Sequence, residues 1–183
     1  MKKYLFNIAS ACMIVFLAGC GSSAKVEKSP IKTYVMPCSE LVSGDGVLRA
    51  WASGKSDSEM SARKKAQIAA AADLAAMLER AVNATTEEYT SNLSESSLGG
   101  SKSLLIDKTK VAVEQSLKGA AIVCDRWVKD DASGQYTNYI VLELRGEEYL
   151  KKLYDELSRN SVSVDKEMLE KVFLKHIEES VNK

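Results

Sequence analysis

Apolar positions follow two rhythms along this chain, and the switches between them mark its elements. From Val47 to Gly54 the period is two. Val47, Arg49 and Trp51 fall on one side, and Leu48, Ala50 and Ala52 on the other. This predicts a strand with one face small enough for a helix to lie close to it. Ser56-x-x-Glu59 has the form of a capping box. The stretch from about Asp57 to Tyr89 is rich in alanine and lacks Gly and Pro, so one long helix is expected there. Ile68, Ala71, Ala75, Leu78 and Val82 step by three and four and are its expected buried stripe. Ser91 to Lys102, with Gly99 and Gly100, reads as a break. A second helix is expected over Leu104 to Lys118, ended by Gly119, although Val111 and Val113 leave a strand open there.

Period two returns over Ala120 to Lys129 and again over Tyr136 to Arg145. In the first, Ile122, Cys124, Arg126 and Val128 alternate with Val123, Asp125 and Trp127. In the second, Asn138, Ile140, Leu142 and Leu144 alternate with Tyr139, Val141 and Glu143. Asp130 to Gly134 joins them as a hairpin loop. Glu147 to Arg159 then reads as a helix, with Glu147/Lys151, Glu148/Lys152 and Asp155/Arg159 at i,i+4 spacing. Asp165 to Val181 is a last amphipathic helix, with Leu169, Val172, Phe173, Ile177 and Val181 on one side. It either docks on the domain or serves a partner.

The expected fold class is α+β. A three-stranded, mainly antiparallel sheet in the order β-α-α-β-β is packed by the long alanine-rich helix, and two helices follow at the C-terminus. The expected organisation is a leader over 1–19, a lipidated Cys20 and tether over 20–45, an α+β domain over 46–160, and a C-terminal amphipathic helix over 161–183.

The leader has its own pattern. Lys2 and Lys3 precede a mostly apolar run from Tyr4 to Phe16. That run is too short to span a bilayer, which needs about 20 apolar residues, and it reads as a signal-peptide core. The following Leu17-Ala18-Gly19-Cys20 resembles the bacterial lipobox. The resemblance implies removal of the signal peptide and attachment of diacylglycerol to Cys20, with acylation (palmitate-type chains) of the new amine. Several acyl chains on one residue hold a protein at a membrane with no help from the polypeptide. Gly21 rather than Asp follows Cys20, which by resemblance to sorting in enteric-type bacteria implies the outer membrane, periplasmic or surface facing. Gly21 to Lys32, small and polar and containing Pro30, reads as a flexible tether.

Charge narrows the partners. The chain has 25 basic and 25 acidic side chains, and loss of Lys2 and Lys3 leaves it slightly acidic. No basic excess draws it to nucleic acid. Cys12 leaves with the leader and Cys20 is taken by lipid. Cys38 and Cys124 remain, and in an oxidising compartment a disulfide between them is the simplest reading, with two buried thiols the alternative.

Chemistry is sparse. The single histidine, His176, sits on the last helix, where neither a zinc set nor a Ser-His-Asp arrangement clusters in sequence. Gly44-x-Gly46 and Gly99-Gly100 lack the lysine and helix start of a phosphate loop. Asp130-Asp131 belongs to a turn. Neither a catalytic residue nor a cofactor is expected, and the chain reads as a non-enzyme. Trp51, Trp127, Tyr136 and Tyr139 are mostly core residues on this reading, or else a glycan- or peptide-stacking face.

Three segments carry a wider resemblance: Arg49-Ala50-Trp51-Ala52-Ser53-Gly54, Ala62-Arg63-Lys64-Lys65-Ala66 and Leu117-Lys118-Gly119-Ala120-Ala121-Ile122-Val123. Together with the lipobox, they resemble the twenty-kilodalton lipoprotein antigen family and the amino-terminal domain of flagellar assembly protein T. The nearest likeness is to small envelope lipoproteins of Bacteroides type. The likeness covers roughly Gly46 to Leu144. It implies a β-α-β-β core and an envelope role, with no catalytic residue to carry over. An outer-membrane lipoprotein with a structural or protein-interaction role and an envelope protein partner is the expected function. A ligand-binding module for glycan or peptide is the alternative.

Overall fold

A computed structural model describes residues 35–92 and 101–181. The leader, the Leu17–Cys20 box, the tether up to residue 34 and the break over 93–100 lie outside the described residues. Strand β1 (Val47–Ser56) leads into helix α1 (Glu59–Ser91). Helix α2 (Ser101–Lys118) precedes strands β2 (Ala121–Lys129) and β3 (Tyr136–Arg145), and helices α3 (Gly146–Arg159) and α4 (Lys166–Val181) complete the order. The sheet is antiparallel in the order β1-β3-β2, so the last strand in sequence is central and the other two are edges. The expected α+β class, three-stranded sheet and long packing helix are all present.

One face of the sheet is dry. Leu48, Ala50 and Ala52 of β1 and Ile140, Leu142 and Leu144 of β3 are buried beneath α1. The approach is close because of Gly54. A Cβ built there would lie 2.5 Å from the Ala66 amide nitrogen, 2.8 Å from Lys65 Cβ, and closer still to the Ala62 carbonyl oxygen. Small side chains therefore line the helix where it crosses the sheet.

That contact corrects the expected stripe. The buried side of α1 is Ala62, Ala66, Ala70, Leu74, Leu78, Ala81 and Val82, and Ile68 stands 60% exposed. Leu78 and Val82 are common to both sets. The remainder is rotated because the sheet admits alanine, not isoleucine, at the crossing. The capping box is corrected too. Pairing with Tyr136 carries β1 through Ser56, so α1 starts at Glu59 behind Ser58, which makes no side-chain cap hydrogen bond.

At 33 residues α1 is roughly 50 Å long, well beyond the reach of the strands. Its C-terminal half packs against α4, and α2 packs against α3. Leu169, Val172, Phe173 and Ile177 are buried, so α4 docks on the domain. Asp165 caps it, its Oδ1 accepting from the Met168 N–H at 3.0 Å, while the Asp165 N–H donates to Tyr89 Oη at 2.8 Å. On α3, Lys152 and Arg159 find partners other than those their spacing suggests. Lys152 Nζ donates to the Gln115 carbonyl of α2, and Arg159 pairs with Glu156.

Candidate functional site

The outer face of the sheet holds a second, smaller core. Cys38, Cys124 and Val141 are buried there, with Leu41, Trp51 and Tyr139 against them. The two cysteines stand as a disulfide pair with Cα atoms 6.1 Å apart, closing a separation of 86 residues. They bring the segment from residue 35 to 46 across the outer face. Side chains of β1 hold this strap. Trp51 Nε1 donates to the Pro37 carbonyl at 3.0 Å, Arg49 Nη1 donates to the Val42 carbonyl at 2.6 Å, and Arg49 also pairs with Glu143. Val35 and Met36 themselves are exposed, so the strap is anchored from Pro37 onward.

Strap contacts also fix which way the strands present their main-chain groups. Val47 exchanges hydrogen bonds with Gly44 at 2.9 and 3.0 Å, and the Arg49 N–H donates to Ser43 Oγ, which donates back to the Arg49 carbonyl. The main-chain groups of Val47 and Arg49 therefore point away from β3, and the start of β1's outer edge is covered. In an antiparallel ladder the bonding direction alternates residue by residue. Through the registers Ala50↔Leu142 and Ala52↔Ile140 on one side, and Cys124↔Val141 and Arg126↔Tyr139 on the other, the alternation propagates across the sheet. Cys124, Arg126 and Val128 bond toward β3. Asp125, Trp127 and Lys129 turn their N–H and C=O groups outward.

No helix or strand of the described chain packs along that outward edge. Four of the ten large apolar side chains exposed among the described residues lie on this nine-residue strand: Ile122, Val123, Trp127 and Val128. An uncovered edge with apolar side chains is a template for adding a strand. The straight part of β2 begins at Cys124, because Val123 is an inserted residue that shifts the register between Ile122 and Cys124. That bulge corrects the expected alternation. Cys124, Arg126 and Val128 share the outer face, but Ile122 pairs with Leu142 and belongs to the other.

The bulge also turns Asp125 inward to the helix side. Arg63 Nε of α1 donates to Asp125 Oδ2 at 2.9 Å, and Asn138 Nδ2 donates to Asp125 Oδ1 at 2.6 Å. Asn138 is wholly buried, with its own Oδ1 unpaired. Arg63 and Lys65, basic residues near the start of a helix, thus have partners: Asp125 for the first and the Lys55 carbonyl for the second.

The four aromatics proposed as a stacking face lie on two faces. Trp51 and Tyr139 sit 5.9 Å apart on the outer side, beside the strap. Trp127 and Tyr136 point to the helix side, where Lys129 Nζ lies 5.3 Å from the Tyr136 ring centre. They do not form one concave surface.

His176 lies between two carboxylates, with Nε2 2.8 Å from Glu88 and Nδ1 2.9 Å from Glu179. Lys175 Nζ donates to Glu88 at 2.9 Å. This hydrogen bond holds the Glu88 carboxyl below its ordinary range against its partial desolvation, and His176 adds to it; the Lys175 ammonium is raised in return. Ser91, close by, donates its hydroxyl to the Glu88 main-chain carbonyl rather than to the imidazole. The cluster joins α4 to α1. Asp130 serves its turn, with its carboxylate accepting from Ser133 Oγ and the Ala132 N–H, which lowers its pKa. Among the described residues, no three metal-ligating side chains converge.

A groove of about 670 Å³ runs between α1 and α2, floored by Val82, Ile106 and Val113. The hydroxyls of Thr86, Thr90 and Thr109 along it donate back to their own helices. Its other lining residues, Glu79, Asn83, Glu87, Lys102, Lys110 and Glu114, are polar or charged.

No protein-family model, curated protein or solved structure matches the chain. No helix among the described residues is long and apolar enough to cross a membrane.

Proposed function

We propose that the chain is a lipoprotein of the bacterial outer membrane, acylated at Cys20, whose domain docks an envelope protein partner along the edge of β2. One observation carries the docking role: the outward main-chain groups of Asp125, Trp127 and Lys129 run along an exposed, partly apolar strand. Supporting the anchor are the Leu17-Ala18-Gly19-Cys20 box and a cysteine pair of the kind that persists in oxidising compartments. The role on this reading is recognition, not catalysis.

A photo-crosslinking residue at Val128, expressed in the full chain in a bacterial envelope, tests the docking role. Adducts at 128 that are missing from a probe at exposed Ile68 support it; equal labelling at both positions, or none at 128, rejects it. Cys20→Ala should leave the leader uncut and change the membrane fraction, and an unchanged fraction sinks the anchor.

A further inference from the structure

We infer that the partner strand on β2 is β2 of a second copy, paired antiparallel about a two-fold axis through Trp127. This deepens the docking reading above and rests on it. Main-chain direction limits the choice of register. Asp125, Trp127 and Lys129 present outward groups, so these must meet outward groups of the other copy. A two-fold axis also requires facing residues to share a side of the sheet.

Bond count and charge then select among the few registers left. Centring on Val128 engages only Trp127 and Lys129, because β2 ends at Lys129, and supplies about four inter-chain bonds. Centring the axis on Asp125 sets that carboxylate against its own copy and drives the bulged Val123 against Trp127. With the centre at Arg126, two guanidinium groups face each other. Like charges directly opposite are destabilising, and opposite charges or aromatic pairs are stabilising. When the axis runs through Trp127, the indoles face each other and Asp125 faces Lys129 of the second copy on both sides. Arg126 then faces Val128. This register uses only the straight stretch beyond the bulge and supplies about six inter-chain main-chain hydrogen bonds.

Two features of the fold agree with it. An isologous pairing of β2 with β2 closes at two copies, and on the opposite edge, β1, the outward groups of Val47 and Arg49 are already taken by Gly44 and Ser43. An axis perpendicular to the sheet also keeps each copy's outer face on the same side. Both straps, held through Cys38, then lie on one side of the six-stranded sheet.

The register makes a geometric demand. Facing residues that exchange main-chain bonds have Cα atoms about 5.5 Å apart, within disulfide reach. In the full chain, expressed in a bacterial envelope and oxidised with copper–phenanthroline, Trp127→Cys should form a covalent dimer. Arg126→Cys should do so at least about tenfold less, since it faces Val128 and not itself. The native chain, with its own cysteines, sets the background. Independently of any fold defect in those variants, the unsubstituted chain should sediment at twice its monomer mass. Lys129→Glu, which sets like charges face to face twice, should weaken that dimer about tenfold. Equal crosslinking at 126 and 127, or a native chain that stays monomeric at about 100 μM, overturns the proposal. Adducts at Val128 to another protein, with no self-adduct, overturn the self-pairing and leave the docking role standing.

Discussion

Gly54→Ala tests the closest packing contact in the domain. The added methyl would meet backbone on two sides, the Ala66 amide nitrogen at 2.5 Å and the Ala62 carbonyl oxygen nearer than that, with Lys65 Cβ at 2.8 Å. Ordinary carbon contacts begin near 3.5 Å, so α1 must withdraw from the sheet by about 1 Å. Neither obstacle is a flexible side-chain end that can swing aside. A gap of that size forfeits a quarter to a half of the dispersion attraction along the interface, which here joins Ala62, Ala66 and Ala70 to Ala50 and Ala52. Over-packing typically costs 1–3 kcal/mol, and a backbone clash belongs at the top of that range, about 3 kcal/mol. For a domain of this size that is a fall in Tm of roughly 10 °C. Urea and thermal unfolding followed by far-UV circular dichroism would measure it, with Ser53→Ala, on the exposed neighbour, as control. A Gly54→Ala protein within about 0.5 kcal/mol of the parent would refute the claim that the helix is held at contact distance.

Three further outcomes follow from the packing and the charges. Replacing Cys38 and Cys124 together by serine should cost up to about 4 kcal/mol on the chain-entropy account of a long loop; urea midpoints with and without reductant should converge for the variant and not for the parent. Leu74→Ala should destabilise by about 2–5 kcal/mol, whereas Ile68→Asp should change stability by no more than about 0.5 kcal/mol, since Leu74 is buried and Ile68 exposed; the reverse ranking would restore the stripe read from spacing. Glu88, whose carboxyl is held low chiefly by the Lys175 hydrogen bond, contributes stability that is present above its ordinary value of 4.5 and lost as pH falls through the lower folded value. Glu88→Gln should remove that part of the acid dependence, seen as a flatter curve of unfolding free energy below about pH 4.5, and an unaltered curve would refute it.

The strands were legible in the sequence wherever one face is dry and the other is not. Leu48, Ala50 and Ala52 against Arg49 and Trp51, and Ile140, Leu142 and Leu144 against Tyr139 and Glu143, show period two because only one side meets α1. The face of α1 was less legible. Alanine recurs on every side of it, so contrast is weak and bulky Ile68 attracts the assignment; the true face is chosen by Gly54 on another element. The cysteine pair could be found by elimination. The candidate docking edge could not. It depends on β3 inserting between β1 and β2, on the strap covering the start of β1, and on the extra residue at Val123, none of which leaves a periodic trace.

The strap has a mechanical consequence. A pull on the chain at Val35 is handed through the Cys38–Cys124 bond directly into β2. The chain between the two cysteines, which includes β1, α1 and α2, is locked in a covalent loop and cannot be drawn out while that bond is intact. The chain free to extend runs from Cys124 through the hairpin to α3 and α4, about 60 residues with a taut length of roughly 200 Å. Reducing the bond would more than double the length of chain that can be drawn out, so the redox state of one pair of sulfurs sets how far this domain can stretch under force.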